Sequence, residues 1–208
     1  MPAVGRCEDE AVTDLGRDTD RVLPPGQRPA DGFRVRHYGP VPRFRPATWR
    51  LTVGGATADG CERHLSFDEL GRLPRARVHA DLHCVYRWTV PDNTWDGVPA
   101  RALLDLVPPA PQVTHVMAWA EYGYSATLRL EDFASPRALL ATHHDGEPLT
   151  PEHGFPLRLV VPHLYAWKGP KWLRGIEYLS ELVRGFWEER GYHAVGDPWR
   201  EERYSYQE

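Results

Sequence analysis

Lysine is nearly absent from this 208-residue chain: of 25 basic side chains, only Lys168 and Lys171 are lysines, and they sit three residues apart. An arginine-favouring composition accounts for the scarcity, although a close pair of compact ammonium groups also suits a binding site. Cysteine is scarce too. Cys7, Cys61 and Cys84 cannot all pair with one another, and their separations fit no zinc knuckle, so a reducing cytoplasm is the default compartment. No run approaches the ~18 apolar residues of a membrane span, and the N-terminus shows no basic region followed by an apolar stretch, so neither a span nor a secretory signal is expected. A net charge of −4 with a pI near 6.2 disfavours a non-specific grip on nucleic acid. There is no phosphate-cradling glycine motif, no βαβ rhythm and no internal repeat, which argues against a doubly wound nucleotide fold.

What remains is a globular composition, 41% hydrophobic and 26% charged, in a chain long enough to enclose a core. With 20 prolines and 18 glycines the chain turns often, and long helices are not expected. Residues 1–32 read as a polar arm, flexible or laid across the surface. Residues 33–184 read as one domain. Trp49, Leu51 and Val53 alternate as a half-buried strand turned by Gly54-Gly55. Ser66-Phe67-Asp68-Glu69 has the spacing of a capping box and opens a short helix that Pro74 stops. Val78 to Trp88 reads as a strand and Pro99 to Val107 as a short helix, with further strands near 113–120, 124–130, 157–161 and 175–182. Residues 185–208 carry three Tyr and two Trp without a period, an irregular aromatic arm anchored to the domain. The expected fold class is α+β, a mixed sheet with short helices.

Three segments bear chemistry. Alternation along Val78–Trp88 puts Cys84 on one face with Leu82, Tyr86 and Trp88, while His79, His83 and Arg87 take the other. On a regular strand His83 and Cys84 therefore cannot share a zinc ion or act as a nucleophile–base pair, and a buried structural thiol is the plain alternative. The loop after Pro162 gathers His163, Tyr165, Trp167, Lys168, Gly169 and Lys171, suited either to an anion pocket or to a solvated loop with aromatic anchors. Upstream, Phe33–Phe44 is extended, basic and aromatic. The ten histidines, His143, His144 and His153 among them, otherwise read as scattered imidazoles.

In order along the chain, these segments resemble the molybdopterin-binding domain of the sulfite oxidase family. His153-Gly154-Phe155-Pro156-Leu157-Arg158, Val160-Val161-Pro162 and Lys171-Trp172 are similar to the family's pterin-pocket motifs. Phe33–Pro42 is similar to its upstream pterin-contacting stretch, and Leu82-His83-Cys84 matches the position of its molybdenum-ligating cysteine. The tail from Gly185 resembles that of short, stand-alone bacterial members.

The resemblance implies a sulfite oxidase-type fold and a molybdenum–molybdopterin cofactor, with Cys84 as metal ligand. It implies cofactor contacts from Arg36, His37, Tyr38, Glu121, Tyr122, His153, Arg158, Gly169, Pro170 and Lys171. Arg87 is implied as catalytic and, with Trp167 and Lys168, as part of the substrate mouth. The implied reaction is oxygen-atom transfer on a small substrate such as sulfite or a sulfoxide, with electrons exchanged with an external cytochrome, ferredoxin or flavoprotein. Two departures stand out: Trp88 replaces the second arginine of the family's anion site, and His37-Tyr38 replaces an Asn-His pair. The family's haem-binding domain is not seen, and the loss of its usual dimerisation domain implies a monomer. Two other readings compete: a molybdopterin-binding module without turnover, and a zinc or haem protein built on the histidines.

Overall fold

A computed structural model describes residues 12–16, 22–30 and 32–208. In chain order the strands and helices are β1 (Thr13–Leu15), β2 (Arg28–Pro29), β3 (Arg50–Gly55), β4 (Arg63–Ser66), α1 (Phe67–Gly71), β5 (Ala76–Cys84), β6 (Trp88–Pro99), α2 (Ala100–Leu106), β7 (His115–Ala120), β8 (Ser125–Arg129), α3 (Leu130–Phe133), β9 (Leu139–His144), β10 (Glu147–Pro148), β11 (Arg158–Val160) and β12 (Leu173–Leu179). They form two sheets. One runs β1-β5-β6-β9-β10, with β2 beside β6 and β11 beside β9; the other runs β4-β3-β12-β7-β8. Parallel pairs (β1 with β5, β2 with β6, β12 with β3) sit among antiparallel ones. This is the expected mixed architecture with short helices.

Alternation assigns the two faces of the first sheet. Leu140, Leu157 and Leu159 point into a large core shared with Leu51, Val53, Val116, Leu128 and Ile176 of the second sheet. Their neighbours Leu139, Ala141 and Val160 point the other way, into a smaller cluster with Val78, Leu82, Cys84, Trp88 and Trp95. A sheet buried on both faces reads in sequence as a continuous apolar run, which is why Ala138–Ala141 and Leu159–Val161 show no polar alternation. The capping box at α1 is present: the Ser66 hydroxyl accepts from Glu69 N while the Glu69 carboxylate accepts from Ser66 N.

Two expectations are corrected. The expected strand from Val78 to Trp88 is a hairpin: β5 stops at Cys84, Val85–Arg87 reverse the chain, and Trp88 pairs back with Cys84. The turn holds no glycine, proline or asparagine to signal it, and Arg87 adopts the left-handed φ of 66° that glycine usually supplies. The C-terminal segment is not merely anchored to the surface, for Glu188, His193, Glu202 and Arg203 are buried. Of the expected N-terminal arm, residues 1–11, with Cys7, lie outside the described residues, as do 17–21 and 31; the described parts add β1 and β2 to the first sheet. Among the described residues no helix is long and apolar enough to cross a membrane.

Candidate functional site

Beside the smaller cluster lies a cavity of about 420 Å³. Five pieces of chain wall it: the extended segment from Phe33 to Tyr38, the β5–β6 hairpin end, Tyr124 between β7 and β8, the stretch from Arg158 of β11 to the start of β12, and the C-terminal segment through Trp187 and Tyr192. Cys84 sits at its base, 9% exposed. Burial pushes the thiol up, against the pull of a hydrogen bond from the Tyr86 backbone and of the Arg36, Arg203 and Arg34 charges. Leu82 and Trp88 flank it and keep its surroundings apolar.

The charge around the thiol is one-signed. Arg34, Arg36, Arg158 and Lys171 line the cavity, and no Asp or Glu does among the described residues. Arg158 is 2% exposed and, among the described residues, has no carboxylate partner. Its Nη1 donates to His153 O at 3.2 Å, and its guanidinium lies 5.1 Å from the Trp95 ring centre and 5.5 Å from that of Phe33. Burial lowers its pKa to about 10. Lys171, bridged to Arg158 through the backbone, donates to Glu152 O at 2.8 Å; burial and the neighbouring Arg158 charge push its pKa down to about 7. Arg34 and Arg36 lie over the rings of Trp88 and Tyr86 at 5.8 and 5.1 Å. Buried N–H groups normally find partners, yet among the described residues Arg158 Nε, Trp88 Nε1 and Trp167 Nε1 have none. Cations without counter-ions, orphaned donors and a soft thiol fit a bulky anionic ligand whose metal favours sulfur.

Two glycines make this approach possible. Gly154, at φ 115°, lies so close to Arg158 and Lys171 that a Cβ would come within 3.0 and 3.2 Å of theirs. A Cβ on Gly169 would stand 2.3 Å from Leu159 O.

The other residues read from sequence take varied places. His37 leans on Trp172 and Tyr38 on Phe186, both at the cavity. His153 is a brace: its ring stacks on Phe33 at 4.2 Å, its Nε2 meets Phe33 O at 3.2 Å and its Nδ1 meets Thr150 Oγ1 at 2.9 Å. Pro170 contributes its carbonyl, which accepts from Leu159 N. Glu121 pairs with Arg174 at 3.5 Å and faces a smaller cleft, and Tyr122 packs under Gly39 and against Trp172.

Two residues expected at the mouth are not there. Lys168 is fully buried, its Nζ 2.8 Å from Glu188 Oε1 and 2.6 Å from Ala194 O. The 3₁₀ turn Ala166–Lys168 sends Trp167 to the cavity and the adjacent Lys168 into the body. Arg87 is exposed and does not line the cavity, because the left-handed turn swings it outward.

Sequence reading held Phe33 and Arg34 within the pterin-contacting stretch without singling them out, and missed Tyr124, Trp187 and Tyr192 as lining residues. The density of aromatics in the tail was the available signal for the last two. Among the described residues no group of His, Cys, Asp and Glu is arranged to hold a metal ion. His83 instead bonds Thr89 Oγ1 at 2.9 Å.

A family model described as an oxidoreductase molybdopterin binding domain matches residues 38–187. The protein named uncharacterized oxidoreductase YuiH, from Bacillus subtilis (strain 168), is 44% identical over 190 residues, covering 91% of this chain and 95% of its own. The protein-methionine-sulfoxide reductase catalytic subunit MsrP of Gluconobacter oxydans (strain 621H) is 30% identical over 179 residues, 74% of this chain and 56% of its own. Mitochondrial sulfite oxidase of Rattus norvegicus is 29% identical over 190 residues, 77% of this chain and 34% of its own. Among solved structures, the sulfane dehydrogenase SoxCD of Paracoccus pantotrophus shares the fold with a TM-score of 0.65 at 23% identity, over 71% of this chain and 42% of that one.

Proposed function

The chain belongs to the sulfite oxidase-type family of molybdopterin-binding oxidoreductases, and from that premise we propose that it transfers an oxygen atom to or from a small, largely apolar substrate at the cavity above Cys84. When bound, the cofactor supplies two-electron oxygen-atom exchange at its molybdenum. Cys84 would hold the metal, since its thiolate is the soft donor at the cavity base. Arg158 and Lys171 would hold the anionic end of the pterin, with Arg36, His37 and Gly169 also on the cavity lining. His153 keeps Phe33, and through it the Arg158 guanidinium, in place. Tyr124 donates to Trp167 O at 2.6 Å and so fixes the aromatic wall.

That wall, built from Tyr86, Trp167, Trp187 and Tyr192, favours a neutral or amphipathic substrate such as a sulfoxide over a small dianion. Electrons pass to or from an external carrier (a cytochrome, ferredoxin or flavoprotein), and the two free cysteines among the described residues, Cys61 and Cys84, suit a cytoplasmic setting.

One observation supports this reading above the others: a buried thiol faces a cavity with four cationic side chains and no acid among its described lining. The test is Cys84→Ser. Replacing the soft ligand by a hard hydroxyl should abolish turnover with an artificial electron acceptor or donor, while pterin content and melting temperature stay near wild type. Turnover at the wild-type rate in that variant refutes the assignment; wild-type protein that holds molybdenum but turns over no substrate is a binding module.

A further inference from the structure

The turn that presents Cys84 is built from residues that would not make it alone. Val85, Tyr86 and Arg87 include no glycine, and Arg87 is left-handed. Its backbone oxygens are held from outside. Cys84 O accepts from Arg87 N at 3.0 Å and also from Gln27 Nε2 at 3.1 Å. Arg87 O accepts from Arg28 N at 3.2 Å. Val85 O accepts from Arg203 Nη1 at 2.5 Å. Each of these three carbonyls is thus bonded to a residue from one end of the chain, outside the 38–187 stretch that the family model matches.

Those donors are themselves fixed. The Gln27 Oε1 accepts from Thr89 Oγ1 at 3.3 Å, just beyond the hairpin end. Arg203 is 4% exposed, lies 5.0 Å from the Tyr165 ring centre and reaches Glu201 Oε1 at 3.4 Å. The two segments also touch, since a Cβ on Gly26 would stand 2.9 Å from Glu201 Oε1. A long, rigid, always-charged donor on an aromatic face suits a fixed bond to one carbonyl.

We infer that Gln27 and Arg203 are positioning residues: together they clamp the Cys84–Arg87 turn and hold the thiol at the cavity base. The inference rests on the assignment of Cys84 as the metal ligand. Hydrogen bonds behind a metal ligand set its orientation, and their loss costs about 10–100-fold in metal affinity or activity. Because neither residue reaches the cavity lining, the loss should fall on kcat and leave KM near wild type.

The experiment compares molybdenum-loaded wild type with Arg203→Met, Arg203→Lys and Gln27→Ala by three readouts: amide hydrogen exchange, the molybdenum electron paramagnetic resonance signal, and kcat against KM. Arg203→Met should speed exchange in peptides spanning residues 84–89, leave β7 and β8 unchanged, alter the resonance signal and lower kcat about 10–100-fold. Arg203→Lys, which keeps a cationic donor, should recover part of each change. Unchanged exchange and an unchanged signal in Arg203→Met overturn the clamp, as does exchange raised equally in β7 and β8. If Arg203→Met does not fold, Arg203→Lys and Gln27→Ala decide by the same readouts, and wild-type behaviour in both overturns it. Failure of the metal-ligand assignment shows separately, as turnover in Cys84→Ser, because hydrogen exchange reads the clamp whatever Cys84 binds.

Discussion

At the scale of single residues, the cavity turns on two cations, Arg158 and Lys171, that meet no acid among its described lining. Arg158 and Lys171 each offer a charge-assisted contact worth about 1.5–3 kcal/mol, so Arg158→Ala or Lys171→Ala should weaken cofactor retention by roughly 10- to 150-fold. Cys61→Ser, at an exposed site away from the cavity, should leave cofactor content unchanged. Pterin fluorescence and metal content per chain measure both. Lys171 also sets a pH dependence. Its pKa is about 7 in the fold against 10.5 in the unfolded chain. Below about 7 both states carry the proton and the burial penalty is fully present. Between about 7 and 10.5 the unfolded chain holds more protons, so the stability of the cofactor-free fold rises with pH. Lys171→Met should flatten that rise, which thermal melts of the two proteins across this range will show. A bound anion reverses the sign, because it gives the ammonium a counter-charge; cofactor affinity should therefore weaken as pH climbs past about 7.

At the scale of elements, the C-terminal segment is docked by a buried ion pair. Lys168 and Glu188 are both fully shielded, and Thr127 N donates to the same carboxylate oxygen at 2.9 Å. Burial pulls Lys168 down while Glu188 pulls it up, with burial the larger effect. Lys168→Ala leaves an uncompensated carboxylate in the interior and should cost about 3–5 kcal/mol, read from denaturant unfolding. The double variant Lys168→Met with Glu188→Leu should recover much of this loss but not all, since Ala194 O and Thr127 N would keep no partner. The capping box of α1, the alternation of β3 and the strands near 115–120, 125–129, 158–160 and 173–179 were legible because local pattern alone specifies them. The β5–β6 hairpin was not legible: Val85-Tyr86-Arg87 carries no turn chemistry, and contacts from distant segments make the reversal. β6 and β9 were missed for a related reason, since Pro91 and Gly97 interrupt one and double burial hides the period of the other.

At the scale of the whole molecule, a chain of net charge −4 lines one aromatic cavity with four cationic side chains and, among the described residues, no acid. A small dianion needs a cluster of planar guanidinium forks near the metal. Here Arg34 and Arg36 line the cavity but lie over the Trp88 and Tyr86 rings, Trp88 stands at the second arginine's position, and Arg87 does not reach the lining, so sulfite should be a poor substrate and sulfoxides or N-oxides with a reduced viologen dye better ones. Steady-state kinetics decides. A sulfite kcat/KM in the usual enzyme range of about 10⁴–10⁸ M⁻¹s⁻¹ contradicts this preference.

The amino-acid sequence by itself determined the mixed α+β architecture, the family and the three segments that meet at the cavity, because motif order and alternation are local properties of the chain. Tertiary structure alone decided which side chains reach that cavity. Trp167 and Lys168 are neighbours in sequence, yet one lines the cavity and the other is buried against Glu188. Arg87 and Trp88 separate at a turn whose conformation Gln27, Arg28 and Arg203 impose from both ends of the chain. A side chain's direction at a turn depends on which distant donors satisfy its carbonyls, and that pairing exists only once the chain has folded.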